Sequence, residues 1–315
     1  MGTERIGLSP NANHKTGQLN TYDNFRTKIA RNRADRPLNE TDLWIFAWDC
    51  GMMKKGTNKT EIDFWERTWK ESSLEGYYKI EKYLVINKKL DKLFKKFLDK
   101  GEKKILEIGC AKGKQLIYFA REFGYDIYGV DYSLKGVELA EQNLNLAGVN
   151  GIILCEDIFR TSLKEESFDI VYSMGLIEHF ENPEEIIDIH IKLLKKGGTF
   201  IISMPNFKDS LYFTLNRLLG NDRTLLETHN LSIIDKKALS ELLQDKEIKI
   251  SMLDYFGPID LSLVFSSMKG KPMLYLARLA NQFIGYITFF MPKSRYFSPY
   301  LVLVGQKNKD ITASP

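Results

Sequence analysis

The sequence predicts an α/β fold in which a parallel sheet is covered by helices on both faces. Three observations carry this prediction. The run KKILEIGCAKGK at 103–114 reads as an apolar strand that ends in an acid and turns through a glycine loop. A helical pattern follows at once, and a second apolar strand then ends in Asp131, 22 residues after Gly109. Through the middle of the chain, short apolar runs go on alternating with amphipathic segments, the pattern of strand–helix–strand units.

The elements follow in order. Ahead of the glycine loop, Ile86, Leu90, Leu93, Phe94 and Phe97 share one face of a predicted helix with lysines opposite, closed by Gly101. Ile105, Leu106 and Ile108 give the first strand two apolar faces, as burial under helices requires. Gly109 lets the backbone turn and approach a ligand without a Cβ clash. The helix from about Lys114 to Phe123 turns Leu116, Ile117, Phe119, Ala120 and Phe123 inward and stops at Gly124. Ile127, Tyr128 and Val130 lead to Asp131, whose carboxylate can accept hydrogen bonds from both hydroxyls of a ribose. Two acids at successive strand ends would face one cleft, a pocket for a nucleoside-bearing cofactor.

A dinucleotide site needs glycine at the first, third and sixth loop positions, so that a pyrophosphate can sit on the helix N-terminus. Those positions hold Gly109, Ala111 and Lys114, which argues against a nicotinamide or flavin. A cofactor whose tail is an amino-acid carboxylate asks for less room, and S-adenosylmethionine is the best reading. Further along come a helix near 134–147, a strand ILC ending in Glu156 and Asp157, and a strand DIVYSM. Asn182 and Pro183 read as the N-cap and first residue of a helix that ends at Gly197, with Glu184 and Glu185 in its first turn.

From about Ile62 to Asn206 the chain resembles the class I S-adenosylmethionine-dependent methyltransferases. LEIGCAKG is similar to the family's first motif, with Ala111 where glycine is usual; GVDYS, CEDIF, FDIVYSMGLIEHF and LLKKGGTFIISMPN follow in the family's order. The resemblance implies a Rossmann-like seven-stranded mixed sheet with the last strand antiparallel. It implies cofactor contacts from Glu107, Gly109, Cys110, Ala111 and Gly113 of the loop, from Asp131 and Tyr132 at the ribose, from Asp157 and Ile158 at the adenine, and from Met174. FWERTW resembles the entry segment of related small-molecule methyltransferases, which assigns Trp69 to the methionine end.

On this reading residues 1–60 form an N-terminal arm and aromatic lid, and 61–315 the methyltransferase domain, with acceptor-side insertions at about 206–232 and 257–298. All four tryptophans, Trp44, Trp48, Trp65 and Trp69, fall in the lid and entry segments; packing of an accessory helix is the alternative. A hydrophobic content of 43% suffices for one large core. Cys50, Cys110 and Cys155 have no metal-ligand spacing, and no signal-peptide pattern opens the chain, so a reduced cytoplasmic setting is expected. A net charge of +4 is too mild to indicate nucleic acid but allows a phosphate-bearing substrate.

His190 shares a helix face with Ile186 and Leu194 and reads as a core histidine, and His14 in the polar arm has no context. His179 in the loop after the fourth strand, or His229 in the insertion after the fifth, could take the proton from an acceptor hydroxyl. Structural hydrogen bonding of Glu178 and His179 is the alternative. The GLIEH segment also resembles ubiquinone-pathway O-methyltransferases, whose loop has a further acid where Gly175 stands. With only Glu178 and His179 offered by the loop, no metal is expected. Strand four ends in SMGL rather than the tetrad that grips a base amine, which speaks against base methylation.

About forty residues separate the strand IKISMLDY from the closing strand YLVLVG. They include MLYLARLANQFIGYITFFM at 273–291, where Arg278, Asn281, Gln282 and Gly285 make one polar stripe. That stripe opposes a membrane span and leaves a helix lying on a bilayer surface, a substrate lid, or a subunit contact. The distal organisation, with SMPN, Gly257–Pro258 and SPYLVLVGQK, more loosely resembles methyltransferases of surface-glycan pathways. It implies a hydroxyl or amine on a nucleotide- or lipid-linked sugar in polysaccharide biosynthesis, acting in the cytoplasm or peripherally at the inner membrane face. A quinone- or polyketide-like aromatic acceptor and a non-catalytic cofactor-binding partner are the alternatives.

Overall fold

Two helices precede the sheet in the computed structural model, which describes residues 59–70, 84–265 and 271–309. They are α1 (Ile62–Lys70) and α2 (Val85–Phe97). The polar arm, and with it Trp44, Trp48, Cys50 and His14, lies outside the described residues. β1 (Lys104–Ile108), α3 (Lys114–Phe123), β2 (Asp126–Asp131), α4 (Leu134–Leu146) and β3 (Ile152–Cys155) then alternate, followed by β4 (Phe168–Met174), α5 (Pro183–Leu193) and β5 (Leu194–Pro205). β1 to β5 are parallel, in spatial order β3-β2-β1-β4-β5.

After β5 come α6 (Leu211–Leu218), α7 (Asp222–Thr228) and α8 (Lys236–Leu242), then β6 (Ile248–Phe256), α9 (Ser262–Phe265), α10 (Lys271–Ile287), a 3-10 turn at Thr288–Phe290, and β7 (Tyr300–Lys307). β7 lies antiparallel between β5 and β6, which completes a seven-stranded mixed sheet. The strand order reverses at β1 and β4, and at such a switch point the strand ends leave a crevice for a ligand.

Local chemistry explains the turns around that crevice. Gly109 has φ 74° and Gly113 φ 59°, left-handed values that glycine adopts at little cost. Gly124, at φ 76°, closes α3 as the sequence predicts. A Cβ on Gly129 would stand 2.6 Å from the Cys110 Sγ, so the middle of β2 must be bare for the glycine loop to lie against it.

One local expectation is corrected. α5 ends at Leu193 rather than Gly197, because Leu194 pairs with Phe168 and Lys195 bonds the Asp169 carboxylate at 2.8 Å and 2.9 Å, which draws the chain into β5. Asn182 and Pro183 stand at the N-cap and the first position of α5 as the sequence predicts, with the Asn182 amide donating to the Glu185 Oε1 at 2.9 Å rather than its oxygen accepting from the first turn. His190 is fully buried between the Ile186 carbonyl (Nδ1, 2.7 Å) and the Ser173 hydroxyl (Nε2, 2.9 Å).

The polar stripe on α10 faces the protein body. The Asn281 amide donates to the Asp260 Oδ1 at 2.7 Å and its oxygen accepts the Leu261 N–H at 2.6 Å; the Gln282 Oε1 accepts the Val85 N–H at 3.3 Å. Gly285 lies against Val85, and only Arg278 of the four is exposed. Among the described residues no helix is long and apolar enough to cross a membrane.

Candidate cofactor and acceptor site

The ends of β1, β2, β3 and β4, with α1 across the opening, enclose one cavity. Trp69, Glu107, Gly109, Ala111, Asp131, Tyr132, Asp157, Ile158, Met174 and His179 line it. Cys110 and Gly113 do not. The Cys110 thiol is buried beneath β2, and a Cβ on Gly113 would lie 2.6 Å from the Leu144 Cδ1, so these two residues serve the packing of the loop rather than its open face.

Asp131 ties the loop to β2. Its Oδ2 accepts the Ala111 N–H at 3.0 Å and its Oδ1 the Ser133 N–H at 2.9 Å, which leaves lone pairs for hydroxyl donors in the cavity. Burial raises its pKa to about 6 against the opposing pull of those N–H groups, and the nearby Glu66 adds to the rise. Glu107 is buried with its Oε2 unpartnered, and burial first, then the Asp131 charge, raises its pKa well above the carboxylate range. A buried carboxylate oxygen without a donor, on the wall of a cavity, suits the ammonium of an amino-acid tail. Asp157 caps the turn after β3 through the Phe159 N–H at 3.1 Å.

α1 supplies an aromatic wall. Trp65 and Trp69 are one helical turn apart and stack at 5.8 Å, while Trp65 donates Nε1–H to the Thr60 Oγ1 at 3.0 Å. The Trp65 ring stands edge-on to His179 at 5.0 Å. The sequence assigned Trp69 to the methionine end and Trp65 only to the aromatic lid and entry segments; their four-residue spacing places both on one face, and both line the cavity. Thr60, Gln115, Phe159 and Phe180 also line the cavity and were not assigned to the site from the sequence.

The loop after β4 is pinned by the insertion after β5. The Asn230 N–H donates to the Glu178 carbonyl at 2.6 Å and the Asn230 amide to the Phe180 carbonyl at 3.1 Å. His179 Nδ1–H donates to the Thr228 carbonyl at 2.7 Å, so the lone pair rests on Nε2, 4.0 Å from the Glu178 Oε1. The Thr228 hydroxyl donates to the Thr224 carbonyl, which makes it the acceptor for His229 Nδ1–H at 2.8 Å and leaves the His229 lone pair on Nε2 as well. The two imidazole rings are 4.6 Å apart, although His229 itself does not line the cavity.

Burial sets the ionisation of this group. It lowers His179 to about 4 and, with the His179 charge, His229 to about 3, and raises Glu178 to about 8. Both Glu178 oxygens are buried without a hydrogen-bond partner. Ligand atoms of Glu178, His179 and His229 all lie within 4.8 Å of one another, two imidazoles and a carboxylate, the donor set of a divalent-ion site. The third ligand comes from the insertion, which an argument from the loop alone did not count.

Comparison with known proteins bears on the family and the fold. A family model described as a methyltransferase domain matches residues 106–202. The ubiquinone biosynthesis O-methyltransferase of Coxiella burnetii is 31% identical over 112 residues, 35% of this chain and 47% of that protein. The protein of the same description from Psychrobacter cryohalolentis is 28% identical over 113 residues, 35% and 44% of the two chains. The chain thus spans about half the length of these curated relatives. Among solved structures, that of the [4+2]-cyclase SpnF superposes with a TM-score of 0.52 at 16% identity, over 80% of this chain and 97% of that one, which is a likeness of fold. The fold, the cavity and the family match make the segment 106–202 a class I methyltransferase domain. In particular it is of the S-adenosylmethionine-dependent family, whose cofactor is S-adenosylmethionine.

Proposed function

We propose that this protein transfers a methyl group from S-adenosylmethionine to a hydroxyl of a small molecule whose body rests on Trp65 and whose oxygen faces the Nε2 of His179. The observation that carries this reading is the His179 imidazole: its tautomer is fixed by the Thr228 carbonyl, its free lone pair faces the Glu178 side, and its ring lines the cofactor cavity. The cofactor supplies a methyl carbon on a sulfonium, a group that leaves readily. The chain then has two tasks, to hold the nucleophile in line with that carbon and to accept one proton.

Glu107 would take the ammonium of the methionine tail, Asp131 the ribose hydroxyls and Asp157 the adenine amine. Tyr132, Ile158 and Met174 would pack on the flat faces of the cofactor, and Trp69 would close the methionine end. His179 is neutral at any pH above about 4, so its lone pair is free for the acceptor hydroxyl; the burial that lowers its pKa also weakens it as a base, so the proton would pass to it only as the new carbon–oxygen bond forms and the carbon–sulfur bond breaks. His229 lies behind it and holds the ring through contact.

Trp65, Phe159, Leu176 and Phe180 support an acceptor with an aromatic or otherwise apolar body. The sugar hydroxyl implied by the looser distal resemblance is the competing acceptor class. Tritium transfer from labelled S-adenosylmethionine into a cell extract, followed by separation of organic and aqueous phases, tests the choice. Organic-phase label is expected; aqueous label would favour a nucleotide sugar, and no label in either phase would favour a non-catalytic cofactor binder.

A second reading of the same cluster rests on the two orphaned oxygens of Glu178. These residues fit a divalent cation, which Glu178, His179 and His229 would hold and which would act as a Lewis acid on the acceptor hydroxyl. Metal content after purification in chelator and after exchange into zinc or manganese separates the two readings. Full turnover of metal-free protein supports His179 as the base.

A further inference from the structure

α10 carries its polarity the wrong way round for a helix in water. Its polar residues Asn281 and Gln282 bond inward to Asp260, Leu261 and Val85, while large apolar side chains on the opposite face point to solvent. Leu279, Phe283 and Ile287 recur at one-turn spacing, and Phe290 extends the row through the following 3-10 turn. Phe283 is 67% exposed, Ile287 64% and Phe290 89%. An apolar row this long is costly to leave in water and marks a contact surface.

Cations rim one side of the row. Lys89 and Lys92 of α2 sit over the Phe289 ring at 4.1 Å and 5.4 Å from its centre. Burial first, and then the positive charges of Lys92 and Lys293, hold the Lys89 pKa below the usual lysine value; Lys293 is itself paired with Asp254 at 2.8 Å, so the cations of the rim here are Lys89 and Lys92. Lys88 and Lys96 of α2, and Arg278 of α10, are exposed besides.

We propose that this row docks the protein on the surface of an anionic lipid bilayer, with α10 parallel to the membrane plane and the α2 lysines among the headgroups. An apolar face of aromatic and branched side chains beside a lysine rim is the pattern of an interfacial helix. The helix does not have the length and hydropathy to span. Anionic headgroups complement the lysine rim, and self-association through the row is the competing occupant that the experiment below separates. This inference does not depend on the methyl-transfer reading.

Flotation of the full chain with vesicles of phosphatidylcholine, or of phosphatidylcholine mixed with phosphatidylglycerol, tests it. Partition onto the anionic vesicles is expected to be at least about tenfold stronger, on the order of what two rim lysines contribute, and to weaken with salt. The triple variant Phe283→Ser, Ile287→Ser, Phe290→Ser should lose flotation while keeping wild-type affinity for S-adenosylmethionine, which controls for folding. Lys89→Glu with Lys92→Glu should remove the preference for anionic lipid. Flotation of the triple variant equal to wild type overturns the proposal. So does absence of flotation in the wild type, whether the chain stays monomeric or self-associates through the row in sedimentation velocity.

Discussion

Asp131 shows how one side chain can serve both the fold and a ligand. Its carboxylate holds the loop through two backbone N–H groups and still faces the cavity. Asp131→Ala is expected to weaken S-adenosylmethionine binding by about 3 kcal/mol, on the order of a hundredfold, for the loss of two hydrogen bonds to a charged acceptor. Calorimetric titration measures this, and unchanged affinity would put the cofactor elsewhere. The raised pKa gives the sign of the pH effect. Above about 6 the carboxylate is charged and accepts two donors; as pH falls through that value it gains a proton and becomes partly a donor itself. Affinity should therefore drop between pH 7 and pH 5 in the wild type, and an Asp131→Asn variant should lose most of that dependence.

At the scale of elements, two contacts decide whether neighbours can meet. Gly129 is the point where β2 meets the Cys110 thiol and the Leu116 side chain, both within 3.0 Å of an added Cβ. Gly129→Ala should overpack the sheet beneath the loop and cost about 1–3 kcal/mol in chemical denaturation. Asn281 fastens α10 to the segment after β6. Its replacement by Ala leaves the Leu261 N–H without its partner and should cost about 1–3 kcal/mol, read in the same experiment. Elements built from local signals were legible in the sequence. β1, the glycine loop, α3 and β2 could be read because strand pattern, turn glycines and helix stop all lie within 30 or so adjacent residues, with each signal agreeing with the next. The end of α5 could not. LLKKGG continues a helical pattern, and only the pairing of Leu194 with Phe168, far away in sequence, turns it into a strand.

Across the whole molecule, what remained hidden was whatever two distant segments make together. His179 and His229 were each visible as candidates, but their 4.6 Å approach needs the α7 segment folded back over the loop after β4. The inward polar face of α10 was hidden for the same reason. Its stripe could be counted in the sequence, but the buried Asp260 that receives it could not. Trp65 belongs here too, since its place beside His179 follows from α1 crossing the mouth of the cavity.

The central claim, that His179 accepts the proton during methyl transfer, is tested most directly by mixing a preformed complex with methyl-labelled S-adenosylmethionine with the extract fraction that accepts label, and following single-turnover transfer in the wild type and in His179→Ala. A rate lower by about 10²- to 10⁴-fold with cofactor affinity unchanged is the expected result for loss of a general base. Equal rates in the two proteins would contradict it.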